Sequence, residues 1–445
     1  MNHVWYKWIA VLMVTVMAVS TLTGCDIVKH ANAVQPINGA DTIKDYEEAT
    51  QAGELEDTYN KGLNNFSYKL FSKLRDGENV FISPYSISMA LSMLYNGADK
   101  ETREEMAQML GYSLLEGYTK DYNAVANNTM NANSRFLIEA LKNADPKVQF
   151  NVANSIWLST NGEFSDAAES ALLAPARFYY DADIFNVDFK EDKTLDSINQ
   201  WVSKKTEGMI DPFIESFSDK EMLRLFLVNA IYFNGKWSIP FSPDVTRKDL
   251  FYGETATKEV DMMYLSGEKF RYYSENGIRG LELPYGEGRI VMDILLPEDT
   301  TNGTIHEAYN ELTTEQITQL MVKLDKVEKL EVNTLALPKF ELEYGMVNLN
   351  ETLQELGMKK AFQAGAADFG PIGGDLYVSL VGHTAKIKVE EWGTEASAAT
   401  GIDVNTTAMP VGEPLNFIVD VPFVFLIRDT ETNTILFLGE MNQPE

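Results

Sequence analysis

Apolar residues recur at three- and four-residue steps from Tyr59 through Leu63, Phe66, Leu70, Phe71 and Leu74, which predicts an amphipathic helix opening the folded part of the chain. A second helix is predicted after Ser83-Pro84, with Ile87, Ala90, Leu91 and Leu94 on one side and Asn96-Gly97 as its stop. Phe150 to Leu158 and Leu225 to Phe233 are continuous apolar runs, the latter bounded by Asn234-Gly235, and both read as buried strands. Leu195 to Ile210 suits a helix, with Ile198, Trp201, Val202 and Lys205 at helical spacing. Leu281 to Leu283, Ile290 to Leu296, Leu330 to Leu337, Leu376 to Val381 and Phe423 to Leu438 add strands. No repeat of fixed period and no proline- or serine-rich linker interrupts residues 56–445, which are therefore read as one large mixed domain.

The pattern becomes unusual between Ala385 and Phe417. Ala385 to Val389 alternate as a strand, Glu390 to Gly393 interrupt it, and a run of small residues then continues to Thr407. Within that run the even positions Thr394, Ala396, Ala398, Thr400, Ile402, Val404 and Thr406 are small or β-branched. The odd positions Glu395, Ser397, Ala399, Gly401, Asp403 and Asn405 are mostly polar. Period two with one buriable face is the pattern of a sheet strand, and small side chains would let such a strand slide between existing strands with little steric cost. Pro410, Gly412 and Pro414 oppose its continuation. On pattern alone, a permanently paired strand followed by a turn is the favoured reading.

The first residues have a separate character. A short stretch carrying Lys7 precedes an apolar run from Trp8 to Val19 and then Leu22-Thr23-Gly24-Cys25, the outline of a signal peptide over residues 1–24. The apolar run is about a dozen residues, too short to cross a hydrocarbon core of roughly 30 Å as a helix. Leu-Thr-Gly-Cys resembles the bacterial lipobox, which implies that Cys25 is lipidated, becomes the first mature residue and anchors an exported protein at a membrane. An ordinary secretory signal with a chance cysteine is the alternative. Residues 25–55, polar and poor in aromatics, are expected to act as a flexible tether.

Composition narrows the chemistry. Lysine plus arginine number 37 against 66 aspartate plus glutamate, a formal charge of −29 that repels polyphosphates and disfavours nucleic-acid and heparin-type partners. A lone cysteine excludes an internal disulfide and a cysteine-rich metal site. Of the four histidines, only His306 and His383 lie in the globular part, and neither accompanies a Gly-x-Ser-x-Gly elbow or a His-Glu-x-x-His pair. No cofactor or metal is expected, and a hydrolase built on scattered carboxylates has no motif behind it.

Several segments decide between the two readings of the small-residue run. Gly393-Thr394-Glu395-Ala396-Ser397-Ala398-Ala399-Thr400-Gly401 resembles the hinge of an inhibitory serpin's reactive-centre loop. Asn79 to Ile87, Asn229 to Trp237, Leu337 to Phe340 and Pro422 to Arg428 resemble other serpin segments, in order along nearly the whole chain from about residue 59. This fold-level analogy implies an α+β serpin fold of three β-sheets with about eight or nine helices and an exposed reactive-centre loop. It also implies a monomeric suicide inhibitor of proteases rather than an enzyme. A target serine protease would attack the loop, form an acyl-enzyme, and be carried off as the freed arm inserts into the central sheet.

The same resemblance assigns residues. The hinge comprises Glu391, Gly393, Thr394, Glu395, Ala396, Ser397, Ala398, Ala399 and Thr400. Ser83, Ser86, Asn229 and His383 match a polar cluster beneath the central strands, and Trp237 matches the tryptophan near the top of the sheet where insertion begins; satisfied buried polar groups and a core aromatic are the structural alternative. Trp392 departs from the family pattern, which has a charged or polar residue there. Family spacing counted from Glu391 puts the cut bond at Thr407-Ala408, with Thr406 and Met409 as alternates. Small uncharged residues there suit elastase-like or subtilisin-like serine proteases. A cysteine protease target and a non-inhibitory binding or structural serpin are the alternatives.

Overall fold

A computed structural model describes residues 34–37, 55–122, 128–160, 162–298, 313–394 and 415–444. Its helices are α1 (Asp57–Leu74), α2 (Pro84–Tyr95), α3 (Lys100–Leu110), α4 (Asn128–Lys142), α5 (Ala174–Tyr180), α6 (Asp192–Lys205), α7 (Thr314–Leu324) and α8 (Asn350–Glu355). In α1 the predicted stripe of Leu63, Phe66, Leu70 and Phe71 is buried. Helix α2 is buried on every side, as an all-round apolar helix must be; Pro84 occupies its first turn, and the Ser83 hydroxyl caps it by accepting from the Ser86 N–H. Helix α6 starts ahead of the expected Leu195 and stops short of Ile210, because Glu207 and Gly208 take left-handed backbone at φ 54° and 85°.

The strands are β1 (Val80–Ile82), β2 (Val148–Ser159), β3 (Asp183–Val187), β4 (Leu225–Lys236), β5 (Arg247–Tyr252), β6 (Thr257–Leu265), β7 (Glu268–Glu275) and β8 (Ile278–Pro284). They continue as β9 (Ile290–Pro297), β10 (Leu330–Pro338), β11 (Phe340–Asn348), β12 (Val378–Glu390), β13 (Gly393–Thr394), β14 (Leu415–Ile418), β15 (Phe423–Asp429) and β16 (Thr434–Met441). The apolar stretch from Phe423 thus resolves into a hairpin, turned by Asn433 at φ 55°.

Three sheets result. The central one has the order β11-β12-β13-β4-β2-β3, with β12 also pairing β4 directly. A second runs β1-β16-β15-β9-β8-β7, and a third, β5-β6-β10-β14, joins it through β10. Helix α2 packs between the central sheet and β16, so its polar N-terminal turn lies directly beneath β4 and β12. Within the stretch expected to be a tether, Val34–Ile37 lies along the outer strand β3: the Ile37 N–H donates to Ile184 O at 2.8 Å, and Arg177 of α5 donates to Ile37 O. The rest of residues 1–54 lies outside the described residues.

Candidate functional site: a seam in the central sheet

The central sheet parts between β4 and β12. From Leu225 to Ile231 these strands pair in parallel with Val378 to Ala385. Beyond that point they part, and the two residues of β13 enter between them, antiparallel to both. Gly393 faces Lys236 and Glu390; Thr394 faces Gly235 and Val389. The sequence pattern predicted that Thr394 begins a strand, and here it is fully buried, its hydroxyl sharing a 2.7 Å hydrogen bond with the Tyr285 hydroxyl.

Position 393 has to be glycine. Its φ of +149° is a conformation side chains rarely adopt, and a Cβ there would collide with the backbone of Gly235 and Lys236. Glu391, two residues before it, is buried. Burial pushes its carboxyl up, but hydrogen bonds from Lys339 (2.9 Å) and Thr246 (2.9 Å) more than offset this and hold it below the ordinary range. Trp237 closes the top of the seam. It stacks on Tyr285 with centroids 4.3 Å apart, its backbone N–H donates to Trp392 O at 3.0 Å, and its indole N–H donates to Glu390 O at 3.0 Å. Trp392 itself is half-buried, holding Trp237 through its carbonyl.

Midway down, where the strands are paired, a buried polar cluster crosses the seam. Asn229 on β4 and His383 on β12 are register partners, and the His383 Nδ1–H donates to Asn229 Oδ1 at 2.6 Å. His383 Nε2 accepts the Ser83 N–H at 3.2 Å. The Asn229 amide donates to Ser86 Oγ and to Asn154 Oδ1 (2.6 Å), while the Ser83 hydroxyl donates to Leu436 O at 2.7 Å. Ser83, Ser86, Asn229 and His383 are thus brought together; Trp237 belongs to the other end of β4. Both ring nitrogens of His383 being engaged, the neutral tautomer is the one this cluster accommodates, and burial lowers its pKa from 6.5 to about 3.

A pH dependence follows. Between pH 6.5 and 3 the unfolded chain holds a proton on His383 that the folded chain does not, so the stability this group supports is lost as pH falls through that window. The slope from this residue approaches about 1.4 kcal/mol per pH unit. Urea denaturation of the intact protein at pH 7 and pH 5 should show it, and His383→Gln, which keeps a polar side chain but does not titrate, should lose that part of the slope. An equal slope in both proteins would contradict the assignment.

The hinge residues Glu395, Ala396, Ser397, Ala398, Ala399 and Thr400, the bond residues Thr406, Thr407, Ala408 and Met409, and Cys25 lie outside the described residues. The residues that sequence reasoning missed are Tyr285, Lys339, Thr246 and Asn154. Lys339 lies in a quoted segment, but nothing in its spacing ties it to Glu391.

Comparisons with known proteins give this chain a family. The sequence profile described as "Serpin (serine protease inhibitor)" matches residues 61–444. The chain belongs to the serpin family. It is 32% identical over 424 residues to an uncharacterized serpin-like protein of Methanosarcina acetivorans, covering 91% of this chain and 90% of that protein. Iripin-2 of the tick Ixodes ricinus is 34% identical over 86% of this chain and 93% of its own. Among solved structures, the native state of the thermophilic serpin tengpin superposes with a TM-score of 0.77 at 30% identity, covering 92% of this serpin and 100% of that chain.

Proposed function

We propose that this serpin is a suicide-type inhibitor of elastase-like or subtilisin-like serine endopeptidases, cleaved between Thr407 and Ala408, with Thr406 and Met409 marking the alternate bonds. The observation that carries this reading is the seated start of β13 between β4 and β12. The offset between the two strands is the same across β13, where Gly235 and Val389 flank Thr394, as in the closed ladder, where Asn229 faces His383. Lengthening β13 therefore needs only a lateral separation of one strand spacing, about 4.8 Å, and no slip along the strands.

Continuing that register assigns every position. Thr400 arrives between Asn229 and His383, where its hydroxyl can replace the bridge that opening breaks, and Asp403 arrives between Phe226 and Leu380. Ala396, Ala398, Thr400, Ile402 and Val404 then share the inward face with Thr394. Burying Ile402 and Val404 contributes roughly 1.5–3 kcal/mol each. Each new ladder hydrogen bond nets about 0.5–1.5 kcal/mol. An acylated protease, attached through Thr407, is carried with the arm as it enters.

Mixing the serpin with an elastase-like protease should give an SDS-resistant complex and release a peptide running from Ala408 to Glu445 by mass. Thr407→Arg should redirect the complex to trypsin-like enzymes, whose acidic pocket can pair with the new guanidinium. Loop cleavage without any complex would establish a non-inhibitory serpin instead. We also propose export with lipidation at Cys25 behind the signal peptide, which places a monomeric inhibitor at a membrane of the cell envelope. Fatty-acid-analogue labelling that survives Cys25→Ala would overturn it.

A further inference from the structure

At the lower end of the same seam, the ladder between β4 and β12 contains a bulge. Val378 faces Leu225 and Leu380 faces Phe226, leaving Ser379 as an extra residue on β12. A bulge re-aims the side chain it carries. Here the Ser379 hydroxyl accepts the Arg224 N–H at 2.9 Å and donates to Met222 O at 3.3 Å. The hydroxyl of Tyr377, two residues earlier, also donates to Met222 O.

These bonds join two different bodies. The segment carrying Met222 and Arg224 belongs with β2, β3 and α6: Arg224 O accepts the Ser159 N–H at 2.9 Å, Lys220 pairs with Asp192 at 2.8 Å, and Glu221 pairs with Lys190 at 3.3 Å. Ser379 and Tyr377 belong with β11 and α8. The Asn350 amide donates to Ser379 O at 2.8 Å, Asn350 Oδ1 accepts the Val381 N–H at 2.9 Å, and Leu349 N–H donates to Val381 O at 2.9 Å. The side of β12 away from β4 is therefore satisfied on its own and keeps its partners if β4 moves away.

We infer that Ser379, helped by Tyr377, is a clasp that sets the rate of the last stage of strand insertion. The inference rests on the inhibitory reading above. Extended from Thr394, an inserting strand stays in register with both neighbours as far as Phe226 and Leu380. The next step meets the bulge, where the strands are held by side-chain bonds across the seam rather than by a regular ladder. Val404 to Thr407 enter only when those bonds break, so Ser379 acts as a positioning residue for the end of the reaction.

A clasp and a merely structural serine predict different things. Because the clasp is broken in the fully inserted form, Ser379→Ala should lower the melting temperature of the intact serpin and leave that of the loop-cleaved serpin unchanged. Conversion of intact protein to a urea-resistant, loop-inserted form, followed on urea-gradient gels at a fixed temperature below melting, should be about tenfold faster, the effect of losing two hydrogen bonds from the starting state. Ser379→Thr, which keeps the hydroxyl, should restore the wild-type rate, and Tyr377→Phe should give a smaller acceleration should Ser379→Ala fold poorly. Equal lowering of both melting temperatures, or an unchanged conversion rate in both variants while wild type still forms complexes, would overturn the clasp alone. A wild type that neither forms a complex nor gains stability on cleavage would overturn the clasp together with the inhibitory reading.

Discussion

On the proposed inhibitory reading, Thr394→Arg should turn this serpin from inhibitor into substrate: the protease should still cut the loop, but complex yield should fall by at least about a hundredfold. Thr394 is wholly buried in the seam, bonded to Tyr285 and flanked by Gly235 and Val389. None of these can neutralise a guanidinium. Desolvating an unpaired charge at that point costs several kcal/mol, and each 1.4 kcal/mol added to the insertion barrier slows it tenfold, while deacylation keeps its own rate. The measurement is the number of inhibitor molecules consumed per protease inactivated, read together with SDS-resistant complex. Wild-type stoichiometry from the arginine variant would mean that β13 does not need to lengthen.

The second large effect lies in the fold itself. Arg428 on β15 is fully buried and bonds Asp293 on β9 (2.6 Å), Glu282 on β8 (3.1 Å) and Asp325 after α7 (3.0 Å). Burial works against its charge, but these carboxylates, Asp293 first, more than compensate and hold the guanidinium protonated. Asp293 and Glu282 are themselves pushed up, mainly by burial; Arg428 offsets this at both, and Arg271 also bonds Glu282 at 2.9 Å. Arg428→Met therefore strands the Asp293 carboxyl and leaves Glu282 only Arg271, and should cost about 3–5 kcal/mol in urea denaturation.

That cost should depend on pH in a set direction. With Arg428 gone, the folded pKa values of Asp293 and Glu282 lie still further above their unfolded ones, so the variant gains relative stability as the pH is lowered and loses it as the pH rises. A deficit that is the same at pH 5 and pH 8 would contradict this account of the network.

How much of this was legible beforehand differs by element. The stripe of α1 and the buried runs of β2, β4 and β9 could be read because one periodicity or one unbroken apolar run decides each. The period-two run starting at Thr394 was also readable, and its first residue does enter a sheet. Neither α3 nor α4 stands out in the sequence, since Lys100–Leu110 and Asn128–Lys142 mix polar residues into the stripe; Arg103 is buried there by stacking on Tyr95 and bonding its carbonyl, which no hydropathy pattern signals. The sequence pattern splits β12 into Leu376 to Val381 and Ala385 to Val389, because polar Gly382-His383-Thr384 interrupts the apolar run. In the fold those residues sit at the buried cluster and remain in strand. Arg428 was visible as a charge inside an apolar strand, yet its partners come from β8, β9 and the end of α7, elements that only the sheet order brings together. The bulge at Ser379 depends on the pairing of two strands far apart in sequence, and nothing local encodes it.

If this serpin is an inhibitor, the residues after Thr394 become a full strand between β4 and β12 once the loop is cut, which a crystal structure of the loop-cleaved protein would show. The cleaved form should have an added antiparallel strand in the central sheet, with Thr400 lying between Asn229 and His383 and Asp403 between Phe226 and Leu380. A cleaved form in which Asn229 and His383 remain hydrogen-bonded neighbours across an unbroken β4–β12 ladder would contradict it.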